Sequence, residues 1–222
     1  MKKLLLLGSV VSPCPPKKQG GTERVAYVQA KQLAKHGIDL IFVGEKGTKQ
    51  NFEEQLLLDG EVESESLLSK IEFVEIGGGT GFGSQEDSLN YDKTLVEASR
   101  KLRLELVNLT KVQDLMAYRK NDYEIVLNNM RGEAIFLPLA KILQKEMISV
   151  MHLNIFEELS DLFEKFGTKI ITIADHQKSS FPNLNYMATI SNPVITDAFK
   201  FSGEVKNYAL FISTIGTHKN QK

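Results

Sequence analysis

Chemistry-bearing side chains in this 222-residue sequence gather repeatedly at the ends of short apolar runs. His152 follows Met147-Ile148-Ser149-Val150-Met151. A histidine there can hydrogen-bond a substrate hydroxyl or move a proton near neutral pH. A histidine satisfied by backbone at a strand end explains it equally well. Asp175-His176-Gln177 follow a second run, where Asp175 can also serve as a helix cap. Asn128-Asn129-Met130-Arg131 follow a third run, and Gly44-Glu45 a fourth. Near the N-terminus stand Gly8-Ser9 and then Gly20-Gly21-Thr22-Glu23-Arg24. Paired glycines let a ligand approach the backbone. The helix expected after them presents free amides and a dipole that favours phosphate or carboxylate. On local grounds alone, a plain loop turning into a helix is the simpler reading.

Several chemistries are excluded by type and spacing. His152, Asp175 and His176 lack zinc-type spacing, so no metal is expected. There is no G-x-S-x-G. Gly8-Ser9-Val10 does not supply the G-x-G-x-x-G of a nicotinamide-dependent oxidoreductase. Neither residues 20–24 nor the glycine-rich 77–81 carry the lysine of a phosphate-binding loop. Cys14 sits between Pro13 and Pro15 in a stiff loop with no base nearby, which argues against a nucleophile. As the single cysteine, it excludes an internal disulfide framework and fits a reducing compartment. A net charge of −1 gives no general pull toward nucleic acid or membrane. Two lysines and four leucines open the chain, too short a run for a signal peptide. No stretch approaches the ~18 apolar residues of a membrane span. The expectation is a soluble cytoplasmic protein.

The elements that must position these residues can be read from hydrophobic pattern. Residues 4–7 are continuously apolar, as in a strand covered on both faces. Ala26, Ala30, Leu33 and Ala34 share one helical face. Thr22 is expected to cap that helix, and Lys35-His36-Gly37 to end it. Residues 38–43 read as the next strand, completing a βαβ unit. The alternation continues with strands at 71–76, 124–127, 147–151, 169–173 and 186–190. Helices are expected at 93–118, 133–143 and 156–166, the first with Leu95, Leu102, Leu106, Leu109 and Leu115 among its apolar positions. Residues 51–69 read as a polar excursion with partial helix, and 77–90 as a mobile loop. Residues 208–212 resemble one more strand. With 42% apolar residues, enough to fill a core, this pattern predicts an α/β, Rossmann-like, mostly parallel sheet with helices on both faces. Ligands of such sheets bind beyond the carboxyl ends of the strands, which is where the polar clusters fall.

These segments resemble family-4 glycosyltransferases of the GT-B fold. Gly20-Gly21-Thr22-Glu23-Arg24 with Leu33-Ala34-Lys35-His36-Gly37 is similar to that family's G-G-x-E-R and L-A-x-x-G-H opening. Asp122-Tyr123-Glu124-Ile125-Val126 resembles its D-x-D-V-V-H strand, and Val150-Met151-His152 its V-x-T-x-H strand end. Ile173-Ala174-Asp175-His176-Gln177 with Pro182-Asn183-Leu184-Asn185 resembles the I-S-D-x-Q … P-x-L-N of a subgroup. Ala188-Thr189-Ile190-Ser191-Asn192 resembles T-V-x-N-G-I-D. Residues 208–219 resemble the Y-L-L-F-L-G-R-I-x-x-x-K-G that opens the family's second domain. The matches are colinear over nearly the whole chain.

The resemblance implies a retaining transfer of sugar from a nucleotide-sugar donor to a sugar or lipid-type acceptor, without metal or cofactor. It makes residues 1–200 the acceptor-side domain and 201–222 the interdomain segment with the start of a donor-binding domain. The donor domain would then be a partner chain, have been lost, or lie elsewhere, and this chain alone would be inactive. His152 would sit at the reacting centre. Gly20 and Gly21 would line the cleft near the diphosphate, and Glu23 and Arg24 would hold the loop or the acceptor. Asp175 and Gln177 would shape the cleft, and Lys219 would grip the diphosphate. Asn129 and Arg131 join the substrate-binding set from their place at a strand end. Ser213-Thr214 replace the family's G-R pair, and Pro193 and Ile195 replace the glycine and aspartate of N-G-I-D. Those departures support an alternative, a non-catalytic glycan- or nucleotide-binding remnant.

Overall fold

The computed structural model describes residues 3–18, 20–77, 91–194, 196, 201–205 and 207–211, with side chains at 91–97 excepted. Its centre is a seven-stranded parallel sheet with spatial order β3-β2-β1-β4-β5-β6-β7. The strands are β1 (Lys3–Ser9), β2 (Leu40–Gly44), β3 (Ile71–Glu75), β4 (Tyr123–Asn128), β5 (Glu146–Met151), β6 (Lys169–Thr172) and β7 (Tyr186–Thr189). Leu4 to Leu7 pair with Leu40 to Val43 on one side and with Ile125 to Asn128 on the other. This makes β1 a central strand, and its continuous leucines are what burial on both faces requires.

Alternation along the strands divides the core in two. Leu6, Leu40 and Phe42 face one layer, formed by α1 (Gly21–Lys35), α2 (Thr48–Leu58) and α3 (Ser64–Leu68). Leu5, Leu7, Ile41 and Val43 face the other, formed by α4 (Tyr91–Tyr118), α5 (Leu137–Ile142) and α6 (Glu157–Phe166). Period-2 alternation in the strands and period-3.6 stripes in the helices meet at these two interfaces. Phe52 is the keystone of the first layer. It is fully buried, and its ring meets those of Tyr27, Phe42 and Phe73. Lys31 and the Tyr27 hydroxyl both donate to Asp59, each at 2.6 Å, and so clip α1 to the end of α2.

The structure revises several local expectations. Thr22 does not cap α1. The helix begins at Gly21 with Gly20 in the capping position and no side-chain cap. Residue 38 belongs to the helix terminus rather than to β2, because the Ile38 amide donates to the Leu33 carbonyl beyond Gly37, a Schellman-type wrap. The polar stretch 51–69 is partly helical as expected, holding most of α2 and all of α3 with a turn between them. The helix expected at 133–143 splits into a 3-10 turn, Glu133–Phe136, and α5, which carries Pro138 in its first turn. On α4, Leu109, Val112 and Met116 are buried, whereas Leu102 and Leu106 face solvent. Residues 208–211 are irregular and exposed instead of forming a strand. Most of the expected loop at 77–90, and residue 212, lie outside the described residues. Among the described residues no helix is long and apolar enough to cross a membrane.

Candidate functional site

The chain runs outward from β1 to β2 and β3, then returns to lay β4 on the other side of β1. The two connections that leave β1 and β4 therefore diverge. They open a crevice above the carboxyl ends of those strands, where doubly wound sheets hold ligands. A pocket of about 270 Å³ occupies it, lined by Gly8, Ser9, Thr22, Glu23, Asn129, Arg131, Glu133 and His152, among others. This is at the small end of ligand pockets, ~300–1,000 Å³. It leaves room for something the size of a sugar ring rather than a whole nucleotide sugar.

Several of the lining side chains are held from behind. The Asn129 amide donates to the Leu7 carbonyl, extending the β1–β4 ladder one residue past the strand. Beside it, the buried Asn128 side chain pairs with the backbone of Met130 through both its oxygen and its nitrogen, which shapes the turn. The Asn129 side chain is 2% exposed. Its Nδ2 donates to Gln29 Oε1 at 2.7 Å, and its Oδ1 lies 2.9 Å from His152 Nε2. Ser9 Oγ accepts from the amides of Val11 and Ser12, bending the chain after β1, and donates to Glu23 Oε1 at 2.9 Å. Arg131 forks onto Glu105 of α4, with Nε and Nη2 donating at 2.6 and 2.7 Å.

Burial governs the electrostatics. His152 is lowered from 6.5 to about 4 because its ring is desolvated, so it is neutral near pH 7. Glu45, just past the end of β2, is raised from 4.5 to about 7 by burial and by the nearby charge of Glu23. Glu133 is also raised by burial, opposed by backbone amides at Gly132 and Glu133. Cys14 is fully buried, and its thiol is pushed well up by that burial. It is not placed as an accessible nucleophile. Among the described residues no group of three or more His, Cys, Asp or Glu side chains could hold a metal ion.

The structure thus brings Glu23, Asn129, Arg131 and His152 to one pocket. Gly20 and Gly21 stand at the start of α1, outside the lining. Arg24 Nη2 donates to the carbonyls of Pro16 and Lys18, tying the proline-rich loop to the helix. Asp175 is exposed and accepts from the Thr189 hydroxyl at 2.6 Å, away from the pocket. Gln177 is buried and wholly engaged with backbone. Its Oε1 accepts from the amides of Ile173 and Ala174, and its Nε2 donates to the carbonyls of Met151 and Leu153. Those two carbonyls flank His152, so Gln177 braces the histidine segment instead of facing the pocket. Lys219 lies outside the described residues.

Gln29, Glu105 and Glu133 were not singled out from the sequence. Gln29 lies 100 residues from Asn129. Its one local mark is a polar side chain between the buried Ala26 and Ala30. Compared with known protein families and with curated proteins, the chain matches none.

Proposed function

We propose that this chain is the acceptor-binding half of a retaining GT-B-type glycosyltransferase. The observation that carries the reading is the convergence of Glu23, Asn129, Arg131 and His152 on one sugar-sized pocket at the β1–β4 crossover. The colinear sequence motifs support it. Neutral His152 would contact the acceptor or the transferred sugar. A donor-binding half, brought by the same or another chain, would close over the pocket and neutralise the leaving diphosphate. These residues hold one such sheet.

The departures at Pro193, Ile195 and Ser213-Thr214 favour a second reading, a binding module that keeps a glycan or nucleotide without transferring it. One experiment separates the two. The coding sequence adjoining the codon for Lys222 is searched for a second Rossmann-like half. The chain is then combined with that half and assayed for transfer from labelled nucleotide sugars. Transfer with retention at the anomeric carbon supports the enzyme. Glycan binding that persists with no transfer from any donor supports the binding module and sinks the enzyme.

A further inference from the structure

The pocket's side-chain polar groups are weighted toward acceptors. Asn129 Nδ2 is committed to Gln29 Oε1, so Asn129 presents its carbonyl oxygen to His152. A carboxamide oxygen only accepts, so His152 Nε2 must carry the proton. With the ring neutral, Nδ1 keeps its lone pair and has no partner among the described residues. Glu23 accepts a hydrogen bond from the Ser9 hydroxyl on one oxygen and keeps the rest of its carboxyl acceptor capacity. Glu133 adds a second carboxyl to the lining. The one guanidinium there, Arg131, is already matched to Glu105. Glu23 also lies at the start of α1, where a phosphate would otherwise be favoured. One of its oxygens comes within 2.8 Å of where a side-chain carbon on Gly20 would stand, so the carboxylate lies against the start of that helix.

We infer that this pocket selects an uncharged ligand that donates hydrogen bonds through hydroxyl groups, and that Gln29 is the positioning residue that sets this preference by aligning Asn129 and His152. A phosphate or carboxylate offers acceptors to the acceptor atoms of Glu23 and His152 Nδ1 and places a negative charge beside Glu23. A neutral glycoside offers hydroxyl donors to the same atoms. The inference rests on the pocket being an acceptor site. It adds that the acceptor end bound here carries no phosphate or carboxylate, so the preceding reaction must deliver a free hydroxyl group.

The test uses the chain labelled with 15N-histidine, with the His152→Ala spectrum assigning the ring. At pH 7 the wild type should show a protonated Nε2 and a bare Nδ1. Gln29→Leu should populate the other tautomer, and Gln29→Glu, which still accepts from Asn129, should restore the first. Methyl glucoside, methyl galactoside and methyl mannoside should perturb the ring. Their 6-phosphates should need at least tenfold higher concentration for the same perturbation, and the neutral glycosides should bind about tenfold more weakly to Gln29→Leu. A bare Nε2 or an imidazolium in the wild type overturns the proposal, as does a phosphate ester binding as tightly as its neutral parent. Absence of any perturbation by the neutral glycosides overturns it too. Transfer to a phosphorylated acceptor would refute this inference and leave the transferase standing. Neutral glycoside binding without transfer would do the reverse.

Discussion

Gly20 and Gly21 are adjacent in sequence and opposite in constraint. A side-chain carbon at Gly20 would come within 2.6 Å of Pro16 Cγ and 2.8 Å of Glu23 Oε2, whereas one at Gly21 meets nothing within 4 Å. Gly20→Ala should therefore lower stability by about 1–3 kcal/mol. Gly21→Ala should stay within about 0.5 kcal/mol, both read from denaturant midpoints. Equal losses at the two positions would show that the loop does not pack as described. Glu45 supplies a pH test. Its value near 7 in the fold exceeds the ordinary 4.5, so between these pH values the folded state binds more protons than the unfolded chain. Stability conferred at this site is complete below 4.5 and falls as pH rises through 7. Glu45→Gln should match wild type near pH 4 and exceed it by about 1–3 kcal/mol at pH 8. Equal stabilities at pH 8 would mean that the carboxylate is solvated.

At the scale of elements, the two layers rest on few side chains. Phe52→Ala removes the ring that joins α2 to α1, β2 and β3, and should cost about 3–5 kcal/mol in unfolding free energy. Gln177→Leu removes the acceptor for the Ile173 and Ala174 amides. Those two amides should then exchange hydrogen distinctly faster, with local loosening at His152; unchanged protection there would mean that Gln177 is not a brace. The strands were legible because hydrophobic continuity and period are local properties, as in Leu4 to Leu7 for β1. Element ends were less so. The Ile38 amide goes to Leu33 and not to a strand, and the exposed residues 208–211 are as apolar as a strand but irregular. The site divides in the same way. Residues immediately past a strand, such as Asn129 and His152, are found from the carboxyl-end rule. Gln29 and Glu105 are set by helix rotation and pairing across the fold, which spacing does not encode.

For the whole molecule, one rule ties fold to function. Strand order reverses between β1 and β4, so the connections part there and leave a pocket that no single element forms. The pocket is small, open and weighted toward acceptor groups, which suits one sugar-sized part of a larger reaction. On the proposed transferase reading, transfer would need a second surface to hold the nucleotide, with the chemistry where that surface meets His152. The most direct test is His152→Ala in the chain combined with its donor-binding half, with sugar transfer and thermal unfolding measured together. If His152 acts at the reacting centre, kcat should fall about a hundredfold or more with little change in Tm. A near-normal rate would contradict it and return His152 to a strand-end histidine held by Asn129.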